Sequence, residues 1–169
     1  KSVIANKNIK KAKLIGKLIS THYYKFEYSD DVRGVEICAA IKNLYSMIIG
    51  SGEGLNTSSA LFHNSVSEML YITKFLKGRE NTVFGLAGLG DLYVSAVGGR
   101  NSKMGKYLGK GFTYRKAKRK FMRNDTIEAA QLAFNIAPYV FKKINNKKIP
   151  LMVNLLKAIC KNKKLKINW

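Results

Sequence analysis

Residues 34–50, GVEICAAIKNLYSMIIG, decide how this chain is read. As a helix the stretch would show apolar side chains on nearly every side, which predicts burial all round rather than along one stripe. Lys42 lies inside it, with Asn43 beside it. An ammonium among Ile37, Cys38, Ala40, Ile41, Leu44 and Met47 loses hydration. That disfavours its charged form and suits it to take and return a proton. The competing reading has the lysine stem lying along its apolar neighbours and carrying the charge out to water. The stretch alone leaves both open.

Upstream, SVIA at 2–5 is a short apolar run of strand type. Ile9, Ala12, Leu14, Ile15, Leu18 and Ile19 then recur at helical spacing with lysines between them. Tyr23, Tyr24, Phe26 and Tyr28 form an aromatic strand candidate that ends at Ser29-Asp30-Asp31. Strand, helix and strand make one βαβ unit, which cannot close a sheet alone. Residues 1–31 are therefore expected to be the end of an α/β domain, and 32–169 a helical domain. The chain opens on Lys1, without a charged-then-apolar leader, so it reads as a processed product or a piece of something longer.

Downstream, SGEGLNTSS supplies a glycine turn and capping side chains for a helix over 58–77, with Leu61, Phe62, Val66, Met69, Leu70 and Phe75 inward. GLAGLG at 85–90 has the order G-x-x-G-x-G with no strand before it, so a dinucleotide loop is a poor reading. It is expected instead to be a tight loop delivering Asp91 to the start of a short helix, where a carboxylate is favoured. Gly98-Gly99-Arg100-Asn101 then opens the next helix. Glycines that let amides approach, followed by an arginine and an asparagine, make a credible phosphate grip; a plain turn with a surface arginine is the alternative. A helix over 126–144 carries Pro138, and Pro150 begins the last one, with Leu151, Val153, Leu155, Leu156 and Ile159 as core candidates.

A chain of 169 residues can bury a real core, and 46% hydrophobic with 24% charged residues is ordinary for a globular domain. No apolar run approaches the length of a membrane span. Cys38 and Cys160 stand far apart and read as reduced and buried, as in a cytoplasmic protein. The unusual number is charge: 31 Lys and Arg against 10 Asp and Glu give +21. Such a field attracts polyanions and phosphorylated small molecules without saying which. Nine basic side chains fall within 103–123, which reads first as a solvated helix face and second as a nucleic-acid surface. RNA-binding patterns are absent, so nucleic acid is not the expected partner. No internal repeat and no metal-ligand pattern appears.

The succession GVEICAAIKN, NTSSAL with SEM, FGLAGLGDL and GGRNSKMGKYLGKG resembles the C-terminal substrate domain of the NAD(P)-dependent glycerol-3-phosphate dehydrogenases. The likeness reaches back over SVIANKN and FEYSDD, which look like the last strand–helix–strand of that family's nucleotide domain. It covers residues 2–111 well and 124–156 loosely. The resemblance implies a mainly α fold: a helical substrate domain of the 6-phosphogluconate-dehydrogenase C-terminal type, preceded by the remnant of a Rossmann domain. The active site would lie in the cleft between them.

Position by position, the resemblance makes Lys42 the proton-transferring lysine and Asn43 the asparagine beside it. Asp91 becomes the aspartate that orients lysine and substrate, and Ser95 keeps a hydroxyl where some members have threonine. Gly99, Arg100 and Asn101 become substrate-binding, with Arg100 also near the cofactor. Asn124 falls where members commonly have a cofactor-facing acidic or amide residue before a glycine; here the run is Asn124-Asp125-Thr126. The loop GSGEGLN is shorter than usual, and no G-x-G-x-x-G unit is present.

The implied reaction interconverts sn-glycerol 3-phosphate and dihydroxyacetone phosphate with NAD or NADP, and these residues alone are expected to be inactive. The implied partners are a phosphorylated three-carbon substrate and a second copy of the chain. The rivals are a related two-domain hydroxy-acid dehydrogenase, a basic helical nucleic-acid-binding module and a structural dimerisation module.

Overall fold

The computed structural model describes residues 1–167. It opens with β1 (Ser2–Ala5), α1 (Ile9–Ile19) and β2 (Phe26–Ser29). The two strands run parallel, Ser2 opposite Phe26 and Ala5 opposite Ser29, as a helical crossover requires. Asn8 starts α1 by accepting the amides of Lys10 and Lys11. The second strand is shorter than the aromatic pattern suggested. Tyr23 and Tyr24 lie in the turn before it, where the Tyr24 amide donates to Thr21 Oγ1 at 3.0 Å.

The rest is helical: α2 (Val32–Gly50), α3 (Leu55–Phe75), α4 (Glu80–Phe84), a π-helical turn at Leu86–Gly90, α5 (Asp91–Gly98), α6 (Arg100–Gly109), α7 (Tyr114–Phe121), α8 (Glu128–Lys143), a 3₁₀ turn at Asn146–Lys148 and α9 (Pro150–Cys160). The core is built on α2, which packs against α3, α5, α6, α8 and α9. Burial on every side holds for only half of it. Leu44 through Ile49 are all buried, whereas Glu36, Ala39 and Ala40 are exposed. Lys42 stands where the two regimes meet.

Three devices fix α2. Asp31 caps its start, one carboxylate oxygen accepting from the Gly34 amide at 3.0 Å. The other accepts from the Arg79 amide at 2.8 Å and the Thr82 hydroxyl at 2.6 Å, which ties α2 to α4. Burial pushes the Asp31 pKa up, but the three hydrogen bonds outweigh it and hold the carboxyl below its ordinary value.

The second device is close approach to α6. A Cβ on Gly105 would sit 2.0 Å from the Met47 carbonyl oxygen, and one on Gly109 2.2 Å from that of Ser51. Glycines four apart on one helical face thus let α6 lie directly on the α2 backbone.

The third is Glu68 on α3, 4% exposed. It accepts from the Tyr45 hydroxyl of α2 at 2.9 Å and from the Leu151 and Met152 amides at the start of α9, at 2.6 and 3.0 Å. Burial pushes its pKa up against the pull of those bonds. No side chain of α9's own preceding residue caps it, so the cap is borrowed from α3.

Pro150 begins α9 as expected, and all five of its core candidates are buried. Pro138 sits inside α8, which starts at Glu128 rather than at 126. Helix α3 starts earlier than expected, and Phe75, placed inward by the pattern, is 40% exposed in its last turn. Of the basic side chains in 103–123, all are exposed except Lys118, whose ammonium donates to the Arg123 carbonyl at 2.6 Å. Cys38 is buried, and Cys160 is only half-buried. Among the described residues no helix is long and apolar enough to cross a membrane.

Candidate active site

The segment GLAGLG is not a loop. Its residues Leu86–Gly90 form a π-helical turn that runs straight into α5, and the Gly90 amide reaches the Gly85 carbonyl five residues back. A Cβ on Gly88 would meet the Val83 carbonyl oxygen at 2.2 Å, so the turn folds tightly onto α4 only with glycine there. Single π turns are frequent at functional sites. Here the turn presents Asp91, the first residue of α5, to Lys42 on α2.

The Lys42 ammonium donates to Asp91 Oδ2. The lysine side chain is 20% exposed and the aspartate 37%, so the pair sits at a mouth open to solvent. Lys42 is therefore neither held unpaired among apolar neighbours nor laid flat with its charge in water; a carboxylate from a distant helix meets it.

One residue on, Asn43 enters a second cluster. Asn101 Nδ2 donates to Asn43 Oδ1 at 3.2 Å and to Glu128 Oε2 at 3.2 Å, while Asn101 Oδ1 accepts from the Ala129 amide at 3.1 Å. Asn101, only 6% exposed, thus caps α8, which has no capping side chain of its own, and links it to α2. Arg100, immediately before it, donates from Nη2 to Glu128 Oε1.

Gly99 caps α6 in an extended conformation, and its amide donates to the Ser95 carbonyl at 3.3 Å. Ser95 is half-buried, one turn beyond Asp91 on α5. Lys42 and Asn43, in the middle of α2, are thus tied by hydrogen bonds to Asp91 at the start of α5 and Asn101 at the start of α6, with Ser95, Gly99 and Arg100 on the segment between those two. Asn124 lies in an exposed turn between α7 and α8, and among the described residues no side-chain hydrogen bond ties it to this group. The sequence reading missed Glu128. An acidic residue in a helix's first turn is unremarkable in sequence, and its pairing with a guanidinium 28 residues earlier is a tertiary fact.

Beside Asp91 opens a cleft of about 420 Å³ between β1 and the helical part. Val3, Val35, Ala39, Leu86 and Val94 give it apolar walls, and Lys1 and Asp91 stand at its edge. Among the described residues no group of three or more His, Cys, Asp or Glu gathers as metal ligands.

Comparison with known proteins gives this arrangement a family. Residues 31–168 match the family model described as NAD-dependent glycerol-3-phosphate dehydrogenase C-terminus. The chain belongs to that family. It is 30% identical over 166 residues to a glycerol-3-phosphate dehydrogenase (NAD(P)+) of Clostridium acetobutylicum, covering 95% of this chain and 49% of the relative. Identity reaches 39% over 116 residues with the enzyme of the same name from Tropheryma whipplei, across 65% of this chain and 34% of that one.

Among solved structures, the glycerol-3-phosphate dehydrogenase of Coxiella burnetii superposes with a TM-score of 0.85 at 23% identity, over 97% of this chain and 51% of its own. That of Plasmodium falciparum gives 0.82 at 22%, over 99% and 52%. These two share the fold. The chain spans about half the length, or less, of the relatives it matches.

Proposed function

We propose that this chain is the substrate half of an oxidoreductase that interconverts sn-glycerol 3-phosphate and dihydroxyacetone phosphate with NAD or NADP. In this reading Lys42 Nζ takes the proton of the C2 hydroxyl on oxidation and returns it on reduction. Asp91 holds the amine in place and accepts from a neighbouring substrate hydroxyl. Arg100 and Asn101 grip the phosphate, and that remote grip fixes C2 against Lys42, converting binding into orientation. When bound, the nicotinamide supplies the hydride chemistry. The apolar walls of the cleft beside Asp91 fit a flat ring, and Arg100, half open to solvent, suits a cofactor phosphate as well as the substrate's.

Residues 1–31 belong, on this proposal, to a nucleotide-binding unit. Leu14, Leu18 and Ile19 of α1 are 59, 77 and 51% exposed, an apolar face of a kind that other protein normally covers. The observation that carries the proposal is the coupling of the two pairs: Lys42–Asp91 and Arg100–Asn101 are joined through adjacent residues of α2 and the Asn43–Asn101 bond.

The test is made in the enzyme that carries a nucleotide-binding domain on the same chain, by NADH oxidation with dihydroxyacetone phosphate. Lys42→Ala should lower kcat by about 100-fold or more, the scale of a lost general acid–base group. Arg100→Ala should act mainly on KM. Ordinary kinetics in the Lys42 variant would refute the assignment.

A further inference from the structure

We infer that Glu128 is an internal stand-in for the substrate phosphate, occupying the Arg100–Asn101 grip and leaving it when a phosphorylated three-carbon ligand enters. This rests on the reading of Arg100 and Asn101 as a phosphate grip. One Glu128 oxygen accepts from Arg100 Nη2 and the other from Asn101 Nδ2 at 3.2 Å. A single planar anion thus bridges both members of the pair, as two oxygens of a phosphate would.

The donor inventory makes the occupancy exclusive. An asparagine amide has two N–H groups. One Asn101 N–H goes to Asn43 Oδ1 and the other to Glu128, and Asn101 Oδ1 is committed to the Ala129 amide. Asn101 therefore has no N–H for a phosphate until the carboxylate moves away. The bonds to Asn43 and Ala129 keep the amide aimed meanwhile, so the grip is preformed and plugged.

Displacement is cheap here. The Arg100 and Glu128 side chains are 56 and 37% exposed, the range in which an ion pair contributes little. Glu68 shows the contrast: 4% exposed and bonded to three buried donors, it is built to stay. Glu128 is also the first residue of α8, whose positive end favours an anion there, carboxylate or phosphate. A carboxylate retained beside a bound dianion would repel it, so Glu128 lowers phosphate affinity and keeps Arg100 from engaging stray anions.

The test measures binding of glycerol 3-phosphate, inorganic phosphate and glycerol by calorimetry, in the enzyme that carries a nucleotide-binding domain on the same chain. Glu128→Gln should tighten both phosphate ligands about threefold to tenfold, the scale of one exposed ion pair plus relieved repulsion, and leave glycerol unchanged. The gain should vanish in an Arg100→Ala background. If Arg100→Ala alone leaves phosphate binding intact, the grip itself is misread and this inference falls with it. If Arg100→Ala weakens binding while Glu128→Gln leaves it equal or weaker, the grip stands and the stand-in role is overturned. Should Glu128→Gln fail to fold, the wild-type chain decides. On titration with inorganic phosphate, the Glu128 side-chain carboxyl carbon must shift together with the Arg100 guanidinium, and a shift of Arg100 alone refutes displacement.

Discussion

Glu68→Ala is the sharpest test of how the helical core is held. The substitution removes one acceptor group that satisfies three donors, the Tyr45 hydroxyl and the Leu151 and Met152 amides. Tyr45 is fully buried, and Leu151 and Met152 are 3 and 1% exposed, so bulk water cannot replace the carboxylate at its old distances. Each orphaned buried donor costs about 1–3 kcal/mol. Part of that is offset, because the raised pKa of Glu68 shows that burying its charge is itself unfavourable. The expected net loss is about 3–5 kcal/mol, close to the cost of breaking other buried charged contacts. For a chain of this size that lowers the melting temperature by about 10 °C.

Urea unfolding followed by circular dichroism measures the effect, with Tyr45→Phe as a companion that removes a single donor and costs about 1 kcal/mol. In the double variant the Tyr45 donor is already gone, so the two losses should add to less than their sum. A Glu68→Ala loss below about 1 kcal/mol would mean that the α9 amides find other acceptors, and the view of Glu68 as the clamp joining α2, α3 and α9 would fail.

Two further outcomes follow from the same packing. Gly105→Ala adds a methyl carbon 2.0 Å from a backbone oxygen of α2, which cannot rotate away. Despite the better helix propensity of alanine, it should destabilise by about 2–3 kcal/mol and weaken glycerol 3-phosphate binding by moving Asn101 off Asn43. A stabilised variant with unchanged binding would refute the close approach. Asp31, whose folded pKa lies below 3.8, contributes stability in full above that value and loses it as pH falls through the folded pKa. Asp31→Asn should therefore cost about 1–3 kcal/mol at neutral pH, and the gap from wild type should close in acid below the ordinary carboxylate pKa. Glu68, shifted the other way, is common to both proteins and drops out of the difference.

Much of the local architecture was readable residue by residue. The helical spacing of 9–19 and the proline opening α9 are local signals, because propensity and capping act within a turn or two. Lys42, Asp91, Arg100 and Asn101 were likewise nameable from motif order. Where the reading failed, the deciding interaction was not local. GLAGLG became a π turn because Gly88 must pass against Val83, and the apolar stretch around Lys42 is buried on every side only beyond residue 43, where Gly105 and Gly109 let α6 lie on it, while before that only one face, with Gly34, Cys38 and Ile41, is covered.

By itself, then, the amino-acid order marked the longer helices, though neither α4 nor the π turn after it, and the four polar residues set among them. Tertiary structure alone decided what those residues touch: Asp91 on Lys42, Asn101 between Asn43 and the start of α8, and Glu128 across Arg100. The physical reason is range. Backbone propensities are fixed by neighbours a few positions away, whereas a hydrogen bond between residues 28 to 58 positions apart exists only after packing has brought its donor and acceptor within about 3 Å.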